Sequence, residues 1–196
     1  MGGSENNETD PRERQEMALA RLEENLCVLQ AQAGQVDAFT RLVQRYEAPL
    51  LYYLRRFIKD PGLALDAHQE VWLEAWRGLP HLLAPEAFRV WIYRIAHARA
   101  ARFVRRQVSE CEKMNRFTQA DPLLHQQSET SFAAETVHLH LEQLPSDQRE
   151  ILTLFYLNDL TLEEIARVLD RPVGTVKSRL HYARINLRHL IEKERI

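Results

Sequence analysis

Residues 161–184 read TLEEIARVLDRPVGTVKSRLHYAR, and this stretch decides the fold. Thr161 stands three residues before Glu164, the spacing of a capping box at a helix start. Ile165, Ala166, Val168 and Leu169 give that helix an apolar side. Asp170 and Arg171 fall at a turn. Pro172 suits the first turn of a second helix, where the N–H it lacks has no intrahelical partner. Gly174 carries no side chain, so a neighbouring helix or another backbone can come close. Val176, Leu180, Ala183 and Leu187 recur at helical spacing, while Thr175, Lys177, Ser178, His181, Tyr182 and Arg184 fall largely on the other faces. Two short helices joined by a tight turn, the second carrying exposed cations, form a helix-turn-helix, which sets side chains against base edges in a DNA groove. From residue 171 to 195 there are seven Lys/Arg against two Glu. A solvated amphipathic helix would show the same charge run, but not the capped helix in front of it.

The whole chain has 196 residues, enough for one domain or two small ones. Glycine is scarce and no alternating strand pattern appears. Helical periodicity runs almost end to end, so the fold class is all-α. No apolar stretch approaches the roughly 20 residues a bilayer span needs. The opening residues are acidic and polar, unlike a secretory leader. Cys27 and Cys111 are far apart and form no metal-ligand spacing, which fits a reduced, cytoplasmic setting.

The net charge of −2 conceals a segregation. Residues 1–34 carry 3 basic and 7 acidic groups, residues 35–106 carry 12 and 7, residues 107–134 carry 2 and 4, and residues 135–196 carry 9 and 10. The second segment is thus net positive within an acidic chain, and such a distribution says more about partners than the sum does.

Periodicity breaks over residues 107–134, where Asp121-Pro122 and several Gln and Ser stand among few large apolar groups. This reads as a flexible linker between two small helical domains. In the first, residues 35–106, Asp37 is a candidate cap, followed by the stripe Phe39, Leu42, Val43 and Tyr46. Pro49 predicts a break or kink near Ala48. Asp60-Pro61-Gly62 starts a further helix through Arg77. Asp66, Glu70 and Glu74, four apart with Gln69 beside them, form an acidic stripe that is either a solvent face or a docking face for a basic partner. The loop at residues 80–85 holds His81, Leu82 and Leu83 between two prolines, and its leucines suit either packing or a wedge. The helix at residues 86–106 carries Arg89, Arg94, Arg99, Arg102, Arg105 and Arg106, with no acid after Phe88. Arginines on a helix stretch that holds no acid suit phosphate contact. Tyr93 and His97 interleave with them and could stack on bases, although Tyr93, like Trp91, also fits a core. In the second domain, residues 135–196, Ser146 is a candidate cap for the helix that precedes the helix-turn-helix.

Two signatures then carry a resemblance. The first is Ala38-Phe39, Leu42, Tyr46, residues 64–72 (ALDAHQEVW), Phe88, Trp91, Ile92, Ile95, Ala96 and Arg105-Arg106. The second is Leu144-Pro145, Arg149-Glu150, Leu154, Glu164-Ile165-Ala166, residues 174–180 (GTVKSRL), Ala183-Arg184 and Leu187-Arg188. The chain resembles the extracytoplasmic-function (ECF) sigma factors of the sigma-70 family, with region 2 at residues 35–106 and region 4 at residues 135–196. The resemblance implies a promoter-specificity subunit of RNA polymerase. Asp66, Gln69, Glu70 and Glu74 would dock on the clamp helices of the largest polymerase subunit, with a second contact at the flap. His81, Leu82, Arg89, Tyr93, Arg94, His97, Arg99, Arg102, Arg105 and Arg106 would hold the melted −10 element. Thr175, Lys177, Ser178, Arg179, His181, Tyr182 and Arg184 would read the −35 element. Promoter DNA and core polymerase are the implied partners, and the family plan also admits an anti-sigma factor. No catalytic residue, metal or cofactor is expected.

The chain departs from the family pattern at four positions. Leu65 stands for an acid, Ala98 for Asn, Arg102 for a frequent Asp, and Tyr182 for a common Arg. Residues 1–34 form an acidic extension in which Leu19, Leu22, Leu26, Leu29 and Ala33 keep a two-heptad spacing. It reads as a helix packed on its own region 2 or as a regulatory arm over the basic surface. Two further readings compete. A regulator that binds duplex DNA without polymerase leaves the arginine helix and acidic stripe unused. An enzyme would need a motif such as HExxH, a phosphate loop or a nucleophile elbow, and none is present.

Overall fold

A computed structural model describes residues 10–114 and 139–193. All regular elements among them are helical. Helix α1 (Pro11–Gln32) is capped by Asp10, whose carboxylate accepts from the Arg12 N–H at 3.0 Å. It ends at Gly34, whose φ of +88° is left-handed. The Gln35 N–H reaches back to the Gln30 carbonyl and the Gly34 N–H to that of Ala31, which satisfies the last turn. Helix α2 (Val36–Arg55) follows, with Asp37 in its first turn.

Pro49 does not break α2. A mid-helix proline costs about 3 kcal/mol, and the buried face continues across it through Leu50, Tyr53 and Leu54, all fully buried. Burying those three side chains is worth about 1.5–3 kcal/mol each, so packing outweighs the lost bond. Helix α3 (Pro61–Gly78) begins as expected: Asp60 accepts from the Leu63 N–H at 2.8 Å and Pro61 is the first helical residue. Two 3₁₀ turns, Leu79–His81 and Pro85–Ala87, lead into α4 (Phe88–Met114). The turns are pinned to α1 by Gln32, whose side-chain amide donates to the carbonyls of Leu79 (3.0 Å) and Leu82 (2.7 Å). Helix α4 runs eight residues past residue 106, so the expected linker start at residue 107 is helical; most of the expected linker lies outside the described residues.

The core between these helices is aromatic. Tyr46, Tyr53, Phe88 and Tyr93 meet edge-on at centroid distances of 5.6–6.4 Å. Helix α1 packs on α2 and the two 3₁₀ turns through Val28 and Ala31, leaving Leu19, Leu22, Leu26 and Leu29 exposed. The extension is therefore a helix packed on its own region 2, and its principal contacts are not with α4.

In the second half, a helical stretch at residues 139–143 precedes α5 (Ser146–Leu152). Pro145 occupies the cap position, so Ser146 lies inside the helix and caps nothing. The chain widens into a π-turn, Thr153–Leu157, closed by the Asn158 N–H on the Thr153 carbonyl at 3.1 Å. Helix α6 (Leu162–Leu169) carries both bonds of the expected capping box, Glu164 N–H to Thr161 Oγ1 at 3.2 Å and Thr161 N–H to Glu164 Oε2 at 2.8 Å. Asp170 takes the left-handed conformation (φ 51°) that ends α6, one that Asp tolerates better than most residues. Helix α7 (Val173–Lys193) packs back through Val176, Leu180 and Ala183. Nothing lies within 4 Å of a Cβ placed on Gly174, so that glycine serves no contact between helices.

The two halves touch. Helix α6 lies against α4, and the π-turn lies against α2.

Candidate nucleic-acid interface

Helix α7 holds its outward face by burying the opposite one. Lys177, Ser178, His181 and Tyr182 are exposed, with Thr175 half-buried beside them. Ile185 and Arg188 continue this face one turn on, a part of it that sequence reading did not single out. Two expected readers are engaged elsewhere. The Arg179 guanidinium pairs with Asp147 of α5 at 3.4 Å. Arg184 lies over the rings of Phe155 and Tyr156, 5.3 Å from each centroid. Between α5 and α7 runs a groove of about 460 Å³, lined by Leu152, Tyr156, Leu187 and Ile191 with Arg184, Arg188 and Glu192 at its rim.

On α3, Asp66, Gln69, Glu70 and Glu74 all face solvent, with exposed Leu65, Leu73 and Trp76 alongside. The acidic row is not isolated from α4. Arg99 donates through Nε to Glu74 at 2.9 Å and through its terminal nitrogens to Glu70 and Glu74 at 2.5 Å each. The hydrogen bond to Glu74, with the charge of both carboxylates, raises the guanidinium above its ordinary value. One of the expected DNA contacts thus bridges two of the expected polymerase contacts.

The loop after α3 resolves the question of its leucines residue by residue. Leu79 is buried, Leu82 packs partly against the core, and Leu83 is wholly exposed. Beside it opens a groove of about 720 Å³ whose walls include Gly78, His81, Leu82, Leu83, Trp91, Arg94 and Ile95. Arg167 and Asp170, from α6 and the turn after it, stand on the rim of the same groove.

Along α4 the expected DNA residues divide into two sets. Arg94, Arg102, Arg105 and Arg106 are exposed. Arg89, Tyr93 and His97, four residues apart, face region 4 or the core. Tyr93 is 1% exposed because it stacks into the aromatic core, so its ring is not presented to bases here. Arg89 donates to the Asn158 carbonyl. His97 Nδ1 lies 2.7 Å from Glu150 Oε1 and 3.2 Å from the Tyr53 hydroxyl, which itself donates to the same Glu150 oxygen. Burial, then the Glu150 charge, pushes the Tyr53 hydroxyl well above its ordinary value, so it stays a donor.

A second polar cluster joins the halves. Glu142 accepts from Arg56 at 3.3 Å and also pairs with Lys59. Arg149 donates to the carbonyls of Arg56 (3.0 Å), Glu142 (2.8 Å) and Leu144 (3.1 Å). Asn158 adds a bond from Nδ2 to the Pro49 carbonyl at 3.4 Å. Sequence reading found none of Tyr53, Glu142 or Asn158 as contact residues. The available signal was weak: Arg149-Glu150 is a charged pair inside α5, directly ahead of its two buried apolar residues, Ile151 and Leu152.

No helix of the described residues is long and apolar enough to cross a membrane, and none of their His, Cys, Asp and Glu groups cluster to hold a metal.

Known proteins match this chain in the same two parts. The Sigma-70 region 2 family matches residues 42–110, and the Sigma-70 region 4 family matches residues 135–187. The RNA polymerase sigma-H factor of Pseudomonas aeruginosa is 34% identical over 178 residues, covering 85% of this chain and 92% of that protein. The ECF RNA polymerase sigma-E factor of Escherichia coli K12 is 32% identical over 177 residues, covering 84% and 92%. Among solved structures, the Bartonella quintana sigma factor RpoE bound to the anti-sigma factor NepR has a similar fold, with a TM-score of 0.68 at 20% identity over 79% of this chain and 96% of that one. CnrH bound to the cytosolic domain of CnrY has a TM-score of 0.64 at 24% identity over 87% and 98%. The chain belongs to the extracytoplasmic-function sigma factors of the sigma-70 family, DNA-binding initiation factors that bind core RNA polymerase and direct it to specific promoters.

Proposed function

We propose that the residues divide this work as follows. The exposed face of α3, with Asp66, Gln69, Glu70 and Glu74, docks on the clamp helices of the largest polymerase subunit. The groove walled by His81, Leu82, Trp91 and Arg94 takes a base flipped from the −10 strand, and Arg102, Arg105 and Arg106 hold its phosphates. Lys177, Ser178, His181 and Tyr182 read the −35 element in the major groove. The apolar groove between α5 and α7 receives the polymerase flap. The domain division is residues 35–106 and 135–196 on either side of the linker. The protein works in the cytoplasm, as a binding subunit without a catalytic site of its own. An anti-sigma factor is a further partner, an extension from the RpoE and CnrH complexes.

The single observation that carries this reading is the separation of roles on one small fold. An acidic row and a groove bordered by cations sit on region 2, and a second cationic face sits on region 4. A duplex-binding regulator has no use for the first two. The names of the elements set them 25 base pairs apart, roughly 85 Å at 3.4 Å per step. The residues between α4 and the stretch at residues 139–143 can reach at most roughly 80 Å when extended. Together with the width of two domains, that is enough for one chain to hold both elements.

The test is transcription by purified core polymerase with and without the full chain, with the 5′ ends of the transcripts sequenced. New start sites that share one upstream −10 and −35 pair support the assignment. Starts that do not change on addition of the chain overturn it.

A further inference from the structure

We propose that the N-terminal helix α1 is a strut for the −10 groove, and that Gln32, at its end, is a positioning residue for base choice there. The inference rests on the reading of that groove as the −10 site. Gln32 donates both N–H groups of its side-chain amide, one to the Leu79 carbonyl at 3.0 Å and one to the Leu82 carbonyl at 2.7 Å. One side chain thus ties the two ends of the turn that carries Pro80 and His81. The loop's own bonds are local, from the Leu82 N–H to the Leu79 carbonyl at 3.1 Å and from the Ala87 N–H to the Ala84 carbonyl at 3.0 Å. The Leu82 carbonyl belongs to the planar peptide that joins Leu82 to Leu83, so the bond from Gln32 fixes that plane and with it where the two side chains point. Leu82 packs partly against the core, Leu83 is wholly exposed, and both line the groove beside His81. An apolar side chain held out in water on a loop braced in this way gains by being covered, and a base entering the groove covers it.

The other end of the strut is fixed on α2. Val28 and Ala31 are buried where α1 packs on α2 and the two 3₁₀ turns. Glu24 accepts from the Tyr46 hydroxyl at 2.8 Å and pairs with Arg45 Nε at 3.2 Å, and Arg41 donates to the Gln30 side chain at 2.7 Å. Burial, then the Glu24 charge, pushes the Tyr46 hydroxyl above its ordinary value, so it stays a donor. Helix α1 therefore carries the position of α2 across to the loop. The walls of the groove need this, because they come from two kinds of element. Trp91, Arg94 and Ile95 stand on α4, whereas His81, Leu82 and Leu83 stand on the loop. A loop holds a binding geometry less precisely than a helix does, and hydrogen bonds from a neighbouring helix restore the precision.

The experiment uses the full chain, free and in holoenzyme with core polymerase, as the parent, Gln32→Leu, Gln32→Glu and the control Gln30→Leu. Gln32→Leu keeps an apolar stem and loses both donors. Gln32→Glu keeps the shape and sets a carboxylate against two carbonyls. Gln30→Leu loses the Arg41 bond on the same helix and leaves the loop alone. Amide exchange of the free chain is followed at Leu82, with Tyr53 and Tyr93 as core controls. Transcription by the holoenzyme is measured on a promoter series in which each −10 base is replaced in turn, with a −35 series alongside. In both Gln32 variants the Leu82 amide should exchange about tenfold faster, since two net hydrogen bonds are lost, while the core amides stay as in the parent. The discrimination between bases at one −10 position should fall by about the same factor, with the −35 profile and co-purification with polymerase unchanged. Gln30→Leu should behave as the parent. An equal loss on every −10 sequence, or Leu82 exchange as in the parent, overturns the inference. His81→Ala, a change in the groove wall itself, separates the inference from the reading it rests on. If His81→Ala alters base choice and the Gln32 variants do not, the positioning role is overturned and the groove assignment stands. If Leu82 exchange quickens but neither His81→Ala nor the Gln32 variants alter base choice, the strut is supported and the −10 assignment of the groove is what fails.

Discussion

Replacing Gly78 with Ala tests how α3 and α4 shape the groove between them. A Cβ built at Gly78 lies 2.8 Å from Cζ2 of Trp91, closer than carbon atoms pack. Two effects oppose each other. Ala in place of Gly at the end of a helix is favourable by about 0.5–1 kcal/mol through backbone entropy. Forcing a methyl against a rigid indole costs about 1–3 kcal/mol. The ring cannot move towards Phe88, whose centroid is 6.0 Å away at a 50° tilt and whose side chain is fully buried. Space exists only on the groove side, which both Gly78 and Trp91 line. The net expectation is a loss of about 1 kcal/mol in unfolding free energy, with the indole displaced into the groove. Denaturant unfolding followed by far-UV dichroism measures the first effect, and −10 oligonucleotide affinity of the holoenzyme measures the second, which should fall. A Gly78→Ala protein more stable than the parent, with unchanged oligonucleotide binding, would refute the reasoning, since it would mean the indole yields at no cost.

Thr161→Ala removes a cap that accepts from the Glu164 N–H at 3.2 Å, and should lower region 4 stability by about 1 kcal/mol in denaturant unfolding. Lys177→Ala should weaken −35-dependent transcription by about 1–3 kcal/mol if the side chain reads a base, and a promoter series with −35 substitutions will distinguish a base contact from a uniform loss. Glu70→Lys reverses the charge in the middle of the acidic row; co-purification with core polymerase should disappear while the helical dichroism stays. Arg184→Ala should cost roughly 0.5–1 kcal/mol of stability, because its guanidinium covers two aromatic rings.

Local grammar made most of the fold legible. The capping box at Thr161, the Asp60-Pro61 start of α3 and the apolar faces of α2 and α7 all act within one helix, where spacing in sequence is spacing in space. Pro49 marks where that grammar stops. Its effect depends on how much apolar surface lies beyond it, and Leu50, Tyr53 and Leu54 are buried on a helix that packs against α1, α3 and α4, partners that its own sequence does not show. Ser146 is a similar case, since Pro145 before it already has the extended backbone a cap needs. For the site, exposure of Lys177, His181 and Arg94 followed from periodicity. The bridge from Arg99 to Glu70 and Glu74 did not, because those residues lie more than 20 apart in sequence, as do Tyr53, His97 and Glu150. A charged residue on a helix can be assigned to a face from sequence, but what it meets there is set by tertiary packing.

Arg99 gives the two region 2 surfaces a physical connection. Its guanidinium cannot hold Glu70 and Glu74 and a DNA phosphate at full strength together, because its donors are already directed at the two carboxylates. A basic polymerase side chain that pairs with Glu70 and Glu74 competes with Arg99 for the same oxygens. If α3 docks on polymerase and α4 meets the −10 strand as proposed, docking releases a cation on α4 beside that strand. The pairs are partly exposed, with Glu70 and Glu74 side chains 56% and 46% accessible, so the coupling is modest, of the order of 1 kcal/mol. It carries a definite sign: Arg99→Ala should leave polymerase affinity unchanged or higher and should weaken the gain in −10 strand affinity that polymerase brings. Equal losses of polymerase and DNA binding in that variant would show instead that Arg99 only supports the fold between α3 and α4.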